Sequence, residues 1–72
     1  MEKYYVIIAH DDNSIYRVEG FSSKRDAKDC AIKWCDFAFI VVLVSGDCFK
    51  YSDNELVKRA RRKLGQESTN EH

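Results

Sequence analysis

Six consecutive apolar residues at positions 39–44, FIVVLV, constrain the fold of this chain more than any other feature. Four of the six side chains are β-branched, and branched side chains favour extended strands. A short apolar run without alternation predicts a strand that is apolar on both faces. Because such a strand must be covered on both faces, the sequence predicts a layered domain with this strand inside its sheet.

A second strand that is apolar on both faces is predicted at residues 3–9, KYYVIIA. Successive side chains of a strand point to opposite faces, so Val6 and Ile8 are expected on one face and Ile7 on the other. The turn formers HDDNS at residues 10–14 follow and predict a hairpin loop.

Residues 15–20, IYRVEG, alternate between apolar and polar side chains, a pattern that is typical of an edge strand. Tyr16 and Val18 are predicted to face the core, and Arg17 and Glu19 to face water. Charged side chains on an edge strand discourage pairing with other chains, so this strand is expected to close one side of the sheet.

Two amphipathic helices are predicted. The first begins at the N-cap Ser23 and ends near residue 36. Its apolar residues have helical spacing and are Ala27, Cys30, Ala31 and Trp34. The second helix follows the capping-box pattern Ser52-x-x-Glu55 and runs over residues 53–64, with Gly65 just past its end.

Residues 45–47, SGD, predict a tight turn, and residues 48–51, CFKY, predict a short fourth strand. The element order is then β-β-α-β-β-α, which predicts an α+β fold. A right-handed crossover makes strands 2 and 3 parallel. The sheet is therefore expected to be four-stranded and antiparallel in the order 2-1-3-4. One helix covers one face, and the C-terminal helix, a twin subunit or a partner is left to cover the other.

The chain is expected to form one domain over residues 1–65, followed by a disordered tail over residues 66–72. Twelve basic and twelve acidic residues balance, which argues against a wholly basic nucleic-acid coat protein. Three cysteines are an odd number, which predicts reduced thiols and a cytoplasmic protein. The start of the chain lacks the apolar stretch of a signal peptide, and no apolar run approaches the roughly 18 to 20 residues of a membrane span.

Residues that could carry chemistry are few. Cys30 and Cys35 point to different sides of their helix, and neither they nor Cys48 have the spacing of a zinc site, so buried thiols are expected and no metal or cofactor is predicted. His10 has no spacing that predicts a cysteine–histidine pair, and no nucleophile motif is present, so no enzyme is predicted. The acids Asp11 and Asp12 are either turn residues or an acidic contact for a basic partner.

The second helix carries the strongest charge pattern of the chain. Five basic residues lie within six positions, and they are Lys58, Arg59, Arg61, Arg62 and Lys63. Three interpretations remain open: a solvated helix end that complements the helix dipole, a surface for a protein partner, or a surface that neutralises phosphates of a nucleic acid.

The pattern F-S-S-x-x-x-A-x-x-x-A at residues 21–31, between a hairpin and an apolar strand, resembles the layout of small phage-encoded β-β-α-β proteins. These include inhibitors of bacterial RNA polymerase and anti-CRISPR proteins. The resemblance implies a small inhibitor that binds a larger protein. The polymerase inhibitors place arginines on the strand after the helix, and residues 38–44 contain none, so no functional residue is carried over.

The sequence therefore predicts a small non-enzymatic protein that binds a larger protein and inhibits it. The expected contacts are the basic helix, the edge strand with Arg17, and the acids Asp11 and Asp12. A nucleic-acid-binding domain that uses the basic helix is the alternative. A homodimer is expected if the second helix is too narrow to cover its face of the sheet.

Overall fold

The computed structural model describes residues 3–11, 13–37 and 39–69, with side chains as far as residue 65. The elements in chain order are β1 (Tyr4–Asp11), β2 (Ser14–Phe21), α1 (Lys24–Cys35), β3 (Ile40–Ser45), α2 (Gly46–Tyr51) and α3 (Glu55–Thr69). The fold is α+β, with a three-stranded antiparallel sheet in the order β2-β1-β3. The two strands that are apolar on both faces are neighbours, as predicted.

The prediction of a fourth strand at residues 48–51 is wrong, because these residues belong to helix α2. Ser45 caps this helix, since its Oγ accepts a hydrogen bond from the Cys48 amide at 3.2 Å. The ring of Phe49 stacks on Tyr5 with centroids 4.0 Å apart and is buried. Phe49 is the buried side chain of this segment. One apolar residue between less apolar neighbours fits the alternation of a half-buried strand, although a single helical turn buries it equally well.

Helices cover both faces of the sheet. On one face, α1 packs against Val6 and Ile8 through the predicted stripe that includes Ala27 and Trp34. On the other face, α2 and α3 form a second core around Ile7. The buried members of this second core are Ile7, Val18, Val44, Phe49, Val57 and Ala60. The second face is therefore covered within the chain, by two helices rather than one.

Helix α3 begins and ends at residues other than those predicted. Asn54 is the capping side chain, since its Oδ1 accepts from the amides of Leu56 at 2.9 Å and Val57 at 3.3 Å. Ser52 instead bonds the Asn54 amide at 3.1 Å, so the predicted capping box is not formed. The helix continues through position 65 to Thr69. The disordered tail stays a prediction, and residues 70–72 lie outside the described residues.

Candidate functional site

Two irregularities in the β1–β2 ladder shape the most distinctive surface of the molecule. The pairs Ile8↔Arg17 and Ala9↔Ile15 leave Tyr16 as an extra residue on β2. The next step of the register leaves His10 as an extra residue on β1. Tyr16 therefore does not share a face with Val18, as its alternation suggested. It turns toward α1 instead.

The two extra residues join three aromatic side chains from α1 and the segment after it. We call this cluster of His10, Tyr16, Trp34, Phe37 and Phe39 the aromatic corner. Tyr16 stacks on Phe39 with centroids 5.2 Å apart and planes at 20°, and His10 lies 4.9 Å from Phe39 and 5.3 Å from Tyr16. Trp34 lies 5.6 Å from both Tyr16 and Phe39. Offset and edge contacts of this kind fix the relative positions of the rings.

The aromatic corner is packed on its inner side and open on its outer side. Tyr16 is 46% exposed and Phe37 is 59% exposed. The Phe37 ring lies 5.7 Å from Trp34, and its amide donates to the Trp34 carbonyl at 3.1 Å, which holds it at the end of α1. Contiguous exposed aromatic surface on a small protein is typical of an interaction site.

Arg17 and Glu19 lie beside the aromatic corner on the same strand. Arg17 Nε lies 3.5 Å from Glu19 Oε1, and the other Glu19 oxygen accepts a hydrogen bond from Cys30 Sγ at 3.2 Å. Burial, and then the hydrogen bond to Glu19, raise the pKa of the Cys30 thiol to about 11. The thiol stays protonated near neutral pH, so Cys30 links β2 to α1 and has no nucleophilic character there.

Of the two acidic residues in the hairpin, Asp11 is among the described residues. Asp11 accepts a hydrogen bond from the Asn13 amide at 2.8 Å, which is an Asx-turn contact and gives this carboxylate a structural part in the loop. Asp12 lies outside the described residues. The proposal that these acids contact a basic partner stays a prediction.

Arg61 lies apart from the other predicted basic residues. Its guanidinium donates to the carbonyls of Phe49 at 3.0 Å, Lys50 at 2.5 Å and Ser52 at 3.4 Å. These carbonyls come from the end of α2 and its C-cap, where a helix leaves acceptors unpaired. Arg61 therefore joins α3 to α2 and is half-buried.

The remaining basic residues of α3 lie outside the core stripe. Arg62 is exposed, and Arg59 and Lys63 are half-buried. Lys58 Nζ lies 3.7 Å from Glu55 Oε1 one turn earlier. The basic surface that α3 offers to a partner is thus smaller than the five residues of the sequence pattern, because Arg61 is turned inward and Lys58 is paired with Glu55.

The outer edge of β3 carries no charged side chain. Gly46 donates to the Lys3 carbonyl at 2.6 Å and extends the β1–β3 register. Paired and unpaired backbone positions alternate along an antiparallel strand, so the backbone groups of Val42 point toward β1 and those of Val41 and Leu43 point outward. A Cβ on Gly46 would lie 3.0 Å from the Lys3 oxygen, so glycine permits this close approach.

Within the described residues, no group of three metal-ligating side chains is present. None of the described helices combines the length and the apolar character that crossing a membrane requires. No protein-family model, curated protein or solved structure matches the chain.

Proposed function

We propose that the chain is a small non-enzymatic interaction module that binds a larger protein through the aromatic corner and inhibits it by occlusion. The observation that supports this most strongly is the exposure of Tyr16 and Phe37 on top of packed rings. Tyrosine, tryptophan and phenylalanine are enriched at the centres of protein interfaces, and rings already held in place lose little conformational entropy on binding.

Arg17 adds charge to the margin of this surface. Arginine is also enriched at protein interfaces, and the neighbouring Glu19 orients it at 3.5 Å. An apolar centre with a charged margin is the usual arrangement of a protein-binding surface. A partner with an apolar pocket and an acidic group beside it would fit the aromatic corner and Arg17 together.

Site-specific photocrosslinking tests the proposal. A photoreactive phenylalanine analogue replaces Phe37 in one variant and Tyr51 in a control variant. Tyr51 is 72% exposed and lies on α2, which covers the opposite face of the sheet. In cells that express each variant, we expect one larger protein to be crosslinked from position 37 and not from position 51. The same set of adducts from both positions, or none from position 37, would contradict the proposal.

Competition sharpens this test. Unlabelled protein should suppress the adduct from position 37, and the Tyr51→Ser variant should suppress it equally well. The Phe37→Ser variant should compete weakly, because it removes a ring of the aromatic corner that is 59% exposed. Equal competition by both variants would show that the adduct does not depend on this surface.

A nucleic-acid-binding function is the second candidate, and the exposed side of α3 favours it. Arg59, Arg62 and Lys63 lie outside the core stripe and can approach phosphates. Binding would weaken with salt, with a slope of about −0.9 in log K against log salt for each phosphate neutralised on duplex DNA. The variant Arg59→Glu with Arg62→Glu tests it and leaves Arg61, which supports α2, in place. Gel retardation in low salt that this variant abolishes would favour this function, and no retardation of the unmodified protein would exclude it.

A further inference from the structure

We propose that two copies of the chain join through the outer edges of their β3 strands, antiparallel and centred on Val42. The product is a continuous six-stranded sheet. This interface uses the outer edge of β3 and not the exposed rings of Tyr16 and Phe37, so the dimer does not depend on the proposed function.

The outer edge of β3 has the properties of a pairing template. β3 pairs with β1 over six consecutive positions with no register shift. The strand has no charged side chain, no proline and no bulge, which are the devices that natural edge strands use against pairing. Because β1 is the one neighbour of β3 in the sheet of the described residues, the outward backbone groups of Val41 and Leu43 have no partner strand there.

The alternation of β3 limits the possible registers, because outward backbone positions must face one another. Among these, the register centred on Val42 pairs the five apolar residues of the strand with one another, and the two-fold axis places Val41 of each copy opposite Leu43 of the other. Val42 then faces Val42, and Ile40 faces Val44. Every cross-strand pair in this register is apolar, and the four hydrogen bonds of the outward groups are all satisfied.

A groove lies beside β3 and could receive the most exposed apolar side chain of the strand, Ile40 of a second copy. The groove has a volume of about 520 Å³. Its lining includes the apolar side chains of Val42, Val44, Leu56 and Val57. Ile40 is 40% exposed and belongs to the same face of the sheet as Val42 and Val44. In the proposed register, Ile40 of each copy lies opposite Val44 of the other, beside this groove.

The knob and the groove argue for a second copy rather than an unrelated strand. Both belong to the same chain, and the two-fold axis that aligns the β3 strands places Ile40 of each copy beside the groove of the other, so the contact occurs twice. The net charge of the chain is zero, so two copies approach without overall repulsion. An extended segment of another protein would occupy the same edge but would have no reason to match Ile40 and the groove at once.

Disulfide trapping tests the register. The background is Cys35→Ser with Cys48→Ser, which removes the two exposed thiols. Across the two-fold axis, two Val42→Cys residues would have Cα atoms about 4.5 Å apart, within disulfide range. Two Leu43→Cys residues are offset by two positions from their pairs, so their Cα atoms would lie about 8 Å apart, beyond that range.

With oxidised glutathione as the oxidant, Val42→Cys is expected to form a covalent dimer and Leu43→Cys is not. Both variants are compared by circular dichroism, so that a fold lost by either is recognised. Equal crosslinking of the two variants, or none of a folded Val42→Cys variant, would overturn the register.

Sedimentation equilibrium of the unmodified chain provides the second measurement, which needs no folded variant. The expected mass rises with concentration from 8.4 kDa to twice that value. Ile40→Lys should weaken the association about a hundredfold, since the change occurs twice in the interface and each lost apolar contact is worth about tenfold. A monomer at all concentrations up to millimolar would overturn the proposal. The same holds if the chain stays monomeric and its β3 edge binds an extended segment of another protein.

Discussion

The two outer strands of the sheet present different surfaces, although both pair with β1. On β2, Arg17 and Glu19 form an ion pair, and two register shifts interrupt the ladder near Tyr16. On β3, five apolar side chains follow one another in an uninterrupted register. Charges and bulges prevent edge pairing, and their absence permits it. The comparison suggests that the chain protects one edge and leaves the other for assembly.

The extra residue on β2 also helps to form the aromatic corner. The extra residue on β2 turns Tyr16 to the α1 side, where it meets His10, which follows Val6 and Ile8 on that face of β1. There they extend the core around Trp34 into an exposed surface. The β2 edge is thus suited to side-chain recognition and the β3 edge to backbone recognition.

The largest expected effect is on the stability of the monomer, to which the aromatic corner should contribute more than the outer edge of β3. Trp34→Ala should lower the free energy of unfolding by about 2 to 3 kcal/mol, somewhat below the value for a fully buried tryptophan, because it removes the centre of the aromatic corner. Ile40→Ala should cost about 1 kcal/mol or less, since Ile40 is 40% exposed in the monomer. Urea denaturation at low protein concentration measures both, and equal losses would contradict the distinction.

Removing the charge of Arg17 from the β2 edge should weaken the protection of this edge against pairing with other strands. Arg17→Ile places an apolar side chain on this strand and leaves Glu19 without its cation, so we expect new self-association. Arg25→Ile adds the same side chain to the exposed surface of α1 and serves as the control. Light scattering compares the two variants. If Arg17→Ile associates no more than Arg25→Ile, the charge at this position does not protect the edge.

A smaller effect concerns Cys30, which connects β2 to α1. Its pKa is raised from 9.0 to about 11, so between these values the unfolded chain releases a proton that the folded chain keeps. Stability from this group is therefore present below pH 9 and is lost as the pH rises toward 11. Denaturation across this window should show the loss in the unmodified protein and not in the Cys30→Ala variant. The same slope in both would assign it to other groups.

Glu19→Gln provides a finer test of the same contact. Burial is the main cause of the raised pKa, and the hydrogen bond and charge of Glu19 add to it. The variant should therefore lower the pKa of Cys30 without restoring its ordinary value. The pH dependence of Cys30 alkylation, in a background that lacks Cys35 and Cys48, measures this change. An unchanged profile would mean that Glu19 has no influence on the thiol.

Much of the fold follows from local patterns in the sequence. Two short apolar runs predicted the neighbouring strands β1 and β3, and helical spacing predicted the stripe of α1 that ends at Trp34. Residues 48–51 could not be assigned in this way, because one buried phenylalanine fits a strand or a single helical turn. The stacking of Phe49 on Tyr5, distant in sequence, decides between them.

The candidate site was harder to predict for a related reason. Arg61 belongs to a basic run that looked uniform, and only its contacts with the end of α2 distinguish it from Arg62. The place of Tyr16 in the aromatic corner depends on a register shift in β2, which residue types alone do not reveal. The three aromatic residues within positions 34–39 were the available signal.

Backbone hydrogen exchange tests the difference between the two edges most directly. Backbone groups alternate in direction along an antiparallel strand. The alternation that points the amides of Val41 and Leu43 outward on β3 also points the amides of Val18 and Gly20 outward on β2. At low protein concentration all four amides should exchange rapidly, because none has a partner in the sheet. At high concentration, Val41 and Leu43 should become protected while Val18 and Gly20 remain unprotected. Rapid exchange of all four amides at every concentration, or protection that appears on β2, would contradict the account.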